Sequence, residues 1–317
     1  MSVSASAAEW EPVATELLKT EKTGYGGLCG IVVDHSTGEV IINLSERGLF
    51  RSTDQCKTWM KRGPVIKGRT EWPGCMLFDP TGKSRRAMLA LVYGAPIGVS
   101  ADGGETWSQH DAKSSHVDWA VADWTDPDLK FILTLKHESG GLLLVSHDAG
   151  KSYADVAKGY GPAWIFDKQT AVAAELRSKD WPKPRIMRTV DGAKTWEPIA
   201  EHNATALPKW NDGTLYWLTD SALIATTDQG KSWKKLSDVK DGLYGPVFGK
   251  DGKQQFLLTK AGVVESTDGG GSWSKPVALP KDLKGASALT WIEYDPKNDV
   301  LYVMKMGSDL YRMTRGK

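Results

Sequence analysis

Four short stretches of this 317-residue chain bring together side chains that could do acid–base or ion-pair chemistry. One holds Lys67, Arg69, Glu71 and Trp72; a second holds His116, Asp118 and Trp119; a third holds Lys136, His137 and Glu138. The fourth runs from about Ala174 to Met187 and carries Glu175, Arg177, Lys179, Asp180, Trp181, Lys183 and Arg185. Two carboxylates converging on one pocket can divide general-acid and nucleophile or base duties, with the acid's pKa raised by burial or by its partner. Guanidinium groups hold carboxylates in a fork, and Trp or Tyr can stack on a sugar face. A His or Tyr base beside a cation is the minimum for β-elimination, and His116, His137 and Tyr93 supply candidates.

The elements that would carry these groups are constrained by composition. Forty Lys+Arg against 39 Asp+Glu give a formal net charge of +1, with no basic stripe for nucleic acid. No window approaches the roughly 18 apolar residues of a membrane span. Three cysteines (Cys29, Cys56, Cys75) fit neither a paired framework nor a metal-ligand spacing, so no metal or cofactor is expected and buried free thiols are. At the N-terminus, Ala5-Ser6-Ala7 has the small-x-small form that signal peptidase accepts. We therefore expect residues 1–9 to be a flexible remnant of an export signal and the protein to be periplasmic or extracellular.

The dominant feature is a repeat of the form [ST]-x-Asp-x-x-x-[ST]-[WY]. Its six copies are Ser52 to Trp59, Ser100 to Trp107, Ser146 to Tyr153, Thr189 to Trp196, Thr226 to Trp233 and Ser266 to Trp273. Successive aspartates, Asp54, Asp102, Asp148, Asp191, Asp228 and Asp268, stand 48, 46, 43, 37 and 40 residues apart, near the period of a four-stranded propeller blade. In such a turn the carboxylate accepts backbone N–H groups, small residues permit positive φ, and the terminal Trp packs between sheets. These aspartates read as structural staples.

On these residues the chain resembles the Asp-box, or BNR-repeat, propellers of the sialidase-like superfamily. The resemblance implies an all-β, seven-bladed β-propeller with Asp-box hairpins, formed by residues 10–317 as one domain. The last repeat, through Asp309 to Met313, lacks a fourth strand, while Trp10 to Ala14 resembles the post-turn strand Trp196 to Ala200. The N-terminal strand is thus predicted to complete the last blade and close the ring, leaving no open sheet edge. Asp34, Asp79, Asp123, Asp167 and Asp295 line up as turn residues ending successive first strands.

The family also implies that function sits on the face opposite the boxes, in the loops between second and third strands and between blades. That places Glu71, Asp118, Glu138 and Glu175 as candidate catalytic carboxylates. Arg69, Trp72, Tyr93, His116, Trp119, Arg177, Trp181 and Arg185 become candidate substrate-binding residues, with Glu46 and Arg47 completing the arc. Sialidases carry an Arg-Ile-Pro-type segment in the first inner strand, whereas Tyr25 to Ile31 has no Arg, so typical sialidase activity is not expected. Trp119, Trp164 and Trp291 are read as packing between blades in preference to an aromatic ring near the central funnel. Glu293, in an apolar inner strand, must face a polar channel or find a partner. The reading is an exported, monomeric propeller that binds or cleaves a carbohydrate, glycoside hydrolase-like on an anionic glycan. The alternatives are a noncatalytic scaffold docking a protein partner, as in photosystem assembly factors, and a polysaccharide lyase.

Overall fold

A computed structural model, which describes residues 9–62, 66–177, 179 and 182–315, shows seven antiparallel sheets set around an axis as a propeller. Each blade begins with an inner strand, as in Gly30–Asp34, Met76–Phe78, Val117–Ala122, Tyr160–Ile165, Lys209–Asn211, Gly242–Phe248 and Thr290–Asp295. Inner strands of most neighbouring blades lie against one another, those of blades seven and one included. Several read as unbroken apolar runs because blades cover both faces; all five residues of Gly30–Asp34 are buried. Outer strands such as Lys234–Asp238 meet water and are polar.

The ring closes as the sequence predicts. Glu11 and Pro12 pair with Arg312 and Tyr311, adding the N-terminal segment to the strands of blade seven. Asp309 holds the junction, accepting hydrogen bonds from the Ala14 amide at 2.9 Å and from the Thr15 hydroxyl. A short helix, Thr15–Glu21, which the repeat does not announce, then leads to blade one. In blades two and six the fourth strand shrinks to the single bridges Val99–Ser108 and Val263–Val277.

Every repeat turn has the same wiring. In blade one the Ser52 hydroxyl donates to Asp54 at 2.8 Å and accepts from the Cys56 amide at 2.8 Å, while the Thr58 amide and hydroxyl both donate to Asp54. The two residues after each aspartate have positive φ, for example Gln55 and Cys56, or Gly103 and Gly104. The donors stabilise the ionised carboxyl, so Asp54, Asp102, Asp148, Asp191 and Asp228 are all held down at about 2 despite opposing desolvation in several. Amides of these turns also reach the first hairpin of their own blade, as in Gly192 to the Gln169 carbonyl and Gly269 to that of Lys253. The turns ending the inner strands behave as expected: Asp34, Asp79, Asp123, Asp167 and Asp295 each accept an amide two residues on at 2.9 Å. These hairpins and the repeat turns define one face, the turn face; second-to-third-strand loops and blade connections define the far face. Cys29, Cys56 and Cys75 are buried free thiols.

Candidate functional site

On the far face, blades one to three contribute a continuous cluster. Gly68–Arg69 and Tyr93–Gly94 form a two-stranded ribbon in which Arg69 and Tyr93 are partners. Gly94, at φ 119°, cannot be replaced freely, because a Cβ there would run into the Lys67 carbonyl. The ribbon sets the Arg69 guanidinium 4.6 Å from the Tyr25 ring centroid and 4.7 Å from that of Tyr93, within cation–π range of both. Glu71 accepts from Arg69 Nη2 at 2.5 Å. Tyr25 arrives from the segment before blade one, whose Gly24 amide is bound by Glu46 at 2.7 Å.

Tyr93 continues into two histidines. Its ring centroid is 4.9 Å from that of His116 and 6.0 Å from that of His137, and the two histidine rings are 5.0 Å apart, all edge-to-face. The His137 amide donates to the His116 carbonyl at 2.9 Å, and Lys136 Nζ ties the preceding loop through the Ser115 carbonyl at 2.7 Å. Strand pairing slips between Val117 and Trp119, which leaves Asp118 as the extra residue of a bulge. Bulges re-aim side chains. Asp118 Oδ1 lies 2.5 Å from His137 Nδ1. A carboxylate only accepts, so Nδ1 carries a proton, and in the neutral imidazole the lone pair is on Nε2.

The electrostatics divide these groups by role. Burial pushes the Asp118 carboxyl up, against the lowering pull of His137. Desolvation, then Tyr25 and Glu138, push the Tyr93 phenol up, so it stays protonated and can only donate a proton at neutral pH. The cluster therefore combines an oriented imidazole base, a phenol and a fixed guanidinium.

Not every candidate belongs to it. Trp119 has no exposed surface and cannot stack on a ligand; like Trp291 it belongs to the core, the packing between blades that is the favoured reading of these tryptophans over an aromatic ring. Trp72 is half-buried against that core. Glu138 is an exposed rim residue, 3.6 Å from His137 Nε2. Glu175 and Arg185, expected in a loop between second and third strands, instead close that strand pair and form an ion pair across it. Glu175 is thus held by a cation, as Glu71 is, while Asp118 is held by the His137 N–H. Arg177 is exposed beyond that pair, and Trp181 lies outside the described residues. Tyr25 is a member of the cluster that no sequence motif marks. Its position in a blade connection, on the same face as Arg69, was the available signal. Among the described residues no group of His, Cys, Asp and Glu has a metal-binding arrangement.

No family model matches the chain, and no curated protein does. The fold is similar to solved propellers. YCF48 bound to D1 peptide superposes with a TM-score of 0.59 at 15% identity, covering 99% of this chain and 97% of that one. YCF48 from Cyanidioschyzon merolae gives 0.54 at 13% identity, covering 98% and 99%. An ancestral GH74 enzyme gives 0.54 at 14% identity, covering 97% of this chain and 46% of its own. The neighbours thus include both a peptide-bound propeller and carbohydrate-active enzymes, and at these identities they speak to fold alone.

Proposed function

We propose that the far-face cluster is a general acid–base site acting on an anionic glycan by β-elimination. One observation carries this reading: the His137–Asp118 pair stands beside Tyr93 and Arg69. In a uronate-bearing polysaccharide, His137 Nε2 takes the C5 proton and the C5–H electrons form the C4=C5 double bond. The C4–O bond breaks as that double bond forms, with the Tyr93 phenol protonating the departing oxygen. Arg69 bonds to Glu71 through Nη2 and its Nε is buried, so Nη1, with His116, is left to meet the substrate carboxylate. Retaining or inverting hydrolysis fits less well, because Glu71, Asp118 and Glu175 are each engaged by a basic partner.

A second reading, docking of a protein segment on the same rim, is favoured by the near-complete mutual coverage with YCF48, whose structure holds a D1 peptide. Under either reading we propose that the protein works outside the cytoplasm.

The deciding experiment is ultraviolet detection of unsaturated uronates from a panel of uronate polysaccharides, with wild type and with His137→Ala and Tyr93→Phe. Product formation that falls about 100-fold or more in both variants is expected. Absence of unsaturated product from every uronate would overturn the elimination reading. Peptide-array binding lost in Arg69→Ala and Tyr93→Ala would then support docking, and reducing ends formed without unsaturation would indicate hydrolysis.

A further inference from the structure

The opposite, turn face contains a separate feature that the far-face chemistry does not use. A cavity of about 350 Å³ opens where inner strands end, walled by Trp164, Trp210, Phe248 and Pro246, with Lys209 and Glu293 in its lining. Trp164 and Trp210 lie nearly parallel, with centroids 6.3 Å apart at 11°. Behind the opening, Lys209 Nζ donates to the hydroxyl of fully buried Tyr244 and sits 4.3 Å from its ring centroid. The Tyr244 hydroxyl in turn donates to Glu293 Oε1 at 3.3 Å. Lys209 and Glu293 make no direct ion pair among the described residues, so the phenol is the link between them. The carboxylate that the sequence required to find a partner or a channel has both.

This arrangement costs more than an apolar lining would, since the Glu293 carboxyl is withdrawn from water without a direct ion pair. A chain of lysine, phenol and carboxylate can instead pass one proton along itself, interconverting an ammonium–carboxylate pair with an amine–acid pair. Burial drives both ends toward the neutral pair: it lowers Lys209 and lifts Glu293 to about 7, each opposed by the other's charge. Cys75 lies close enough to Lys209 to interact with it, and His35 lines the mouth.

We propose that this cavity is a second ligand site, at which Lys209 condenses with a small aldehyde or ketone whose apolar or aromatic body lies against the Trp and Pro walls. The neutral Nζ attacks the carbonyl carbon, forming the C–N bond as the C=O electrons move to oxygen, which takes up the proton that the nitrogen then releases. Glu293 supplies a second proton to that oxygen, the C–O bond breaks, and water leaves a protonated imine. Ammonium and carbonyl become iminium and water, with no oxidant or reductant. The inference does not depend on the far-face reading.

The test treats the intact protein with benzaldehyde and cyanoborohydride, which traps an imine as a secondary amine, and maps adducts by peptide mass spectrometry. Lys209 should be modified at least roughly tenfold faster than exposed Lys57 and Lys231, because burial lowers its pKa and leaves more of it as the nucleophilic free amine. Glu293→Gln should slow modification at Lys209 but not at Lys57, with its thermal unfolding followed in parallel. Modification of Lys209 no faster than Lys57 in the wild type would overturn the proposal whatever the variant does, and so would an unchanged rate in folded Glu293→Gln.

Discussion

Asp118 reaches His137 only because it is the residue extruded from the pairing of Val117–Ala122 with Ile132–Lys136; its Oδ1 stands 2.5 Å from Nδ1. A regular strand would turn one of these side chains away. The bulge converts two residues 19 apart in sequence into an oriented base. Asp118→Asn keeps the shape but leaves the imidazole tautomer undefined. Turnover of a uronate substrate should fall about 100-fold or more with KM nearly unchanged. Steady-state kinetics checks this, and an equal loss through KM alone would make Asp118 a binding residue.

The repeat turns predict acid sensitivity. The carboxyls of Asp54, Asp102, Asp148 and Asp228 are depressed from 3.8 to about 2 in the folded protein. Their stabilising contribution is therefore complete above the unfolded value and is lost as pH falls from near 4 through about 2. Thermal unfolding between pH 6 and 2 should show a midpoint that is flat at the upper end and drops steeply below 4. Asp228→Asn should lower the midpoint at pH 6 and reduce the drop.

Closure of the ring passes through Asp309, which binds the Ala14 amide and the Thr15 hydroxyl. Asp309→Ala should cost about 1–2 kcal/mol, the usual range for losing such a cap. Urea unfolding measures it. An unchanged midpoint would mean that the N-terminal segment contributes nothing to closure.

Gln55 occupies a left-handed position, φ 62°, that glycine fills in the turns of blades two, four and six as Gly103, Gly192 and Gly269. Relief of that backbone penalty should make Gln55→Gly more stable by about 0.5–1 kcal/mol, partly offset by glycine's greater freedom when unfolded. Calorimetry checks the sign. A lower unfolding temperature would show that the Gln55 side chain contributes more than its backbone costs.

Much of the architecture was legible in the residues themselves because its determinants are local. The turn around Asp54 is completed by hydrogen bonds within seven residues, from Ser52 to Thr58, so its sequence specifies its shape wherever it stands. Six such turns set the blade period, and the likeness of Trp10 to Ala14 to a post-turn strand identified the closing segment. The candidate site was legible only as a choice of face. Arg69, Tyr93, His116, Asp118 and His137 were all named, but no periodicity could separate them from Trp119, which the same strand buries completely. Which side chain faces a ligand depends on a bulge, a positive φ at His116 and a glycine-permitted ribbon at Gly94. The chain from Lys209 through Tyr244 to Glu293 spans separations of 35 and 49 residues and exists only once three blades surround a common axis. Local hydrogen-bonding patterns are written in adjacent residues, whereas proximity across blades is produced by closing the ring. For that reason composition and spacing determined the wheel, and tertiary packing decided where its chemistry lies.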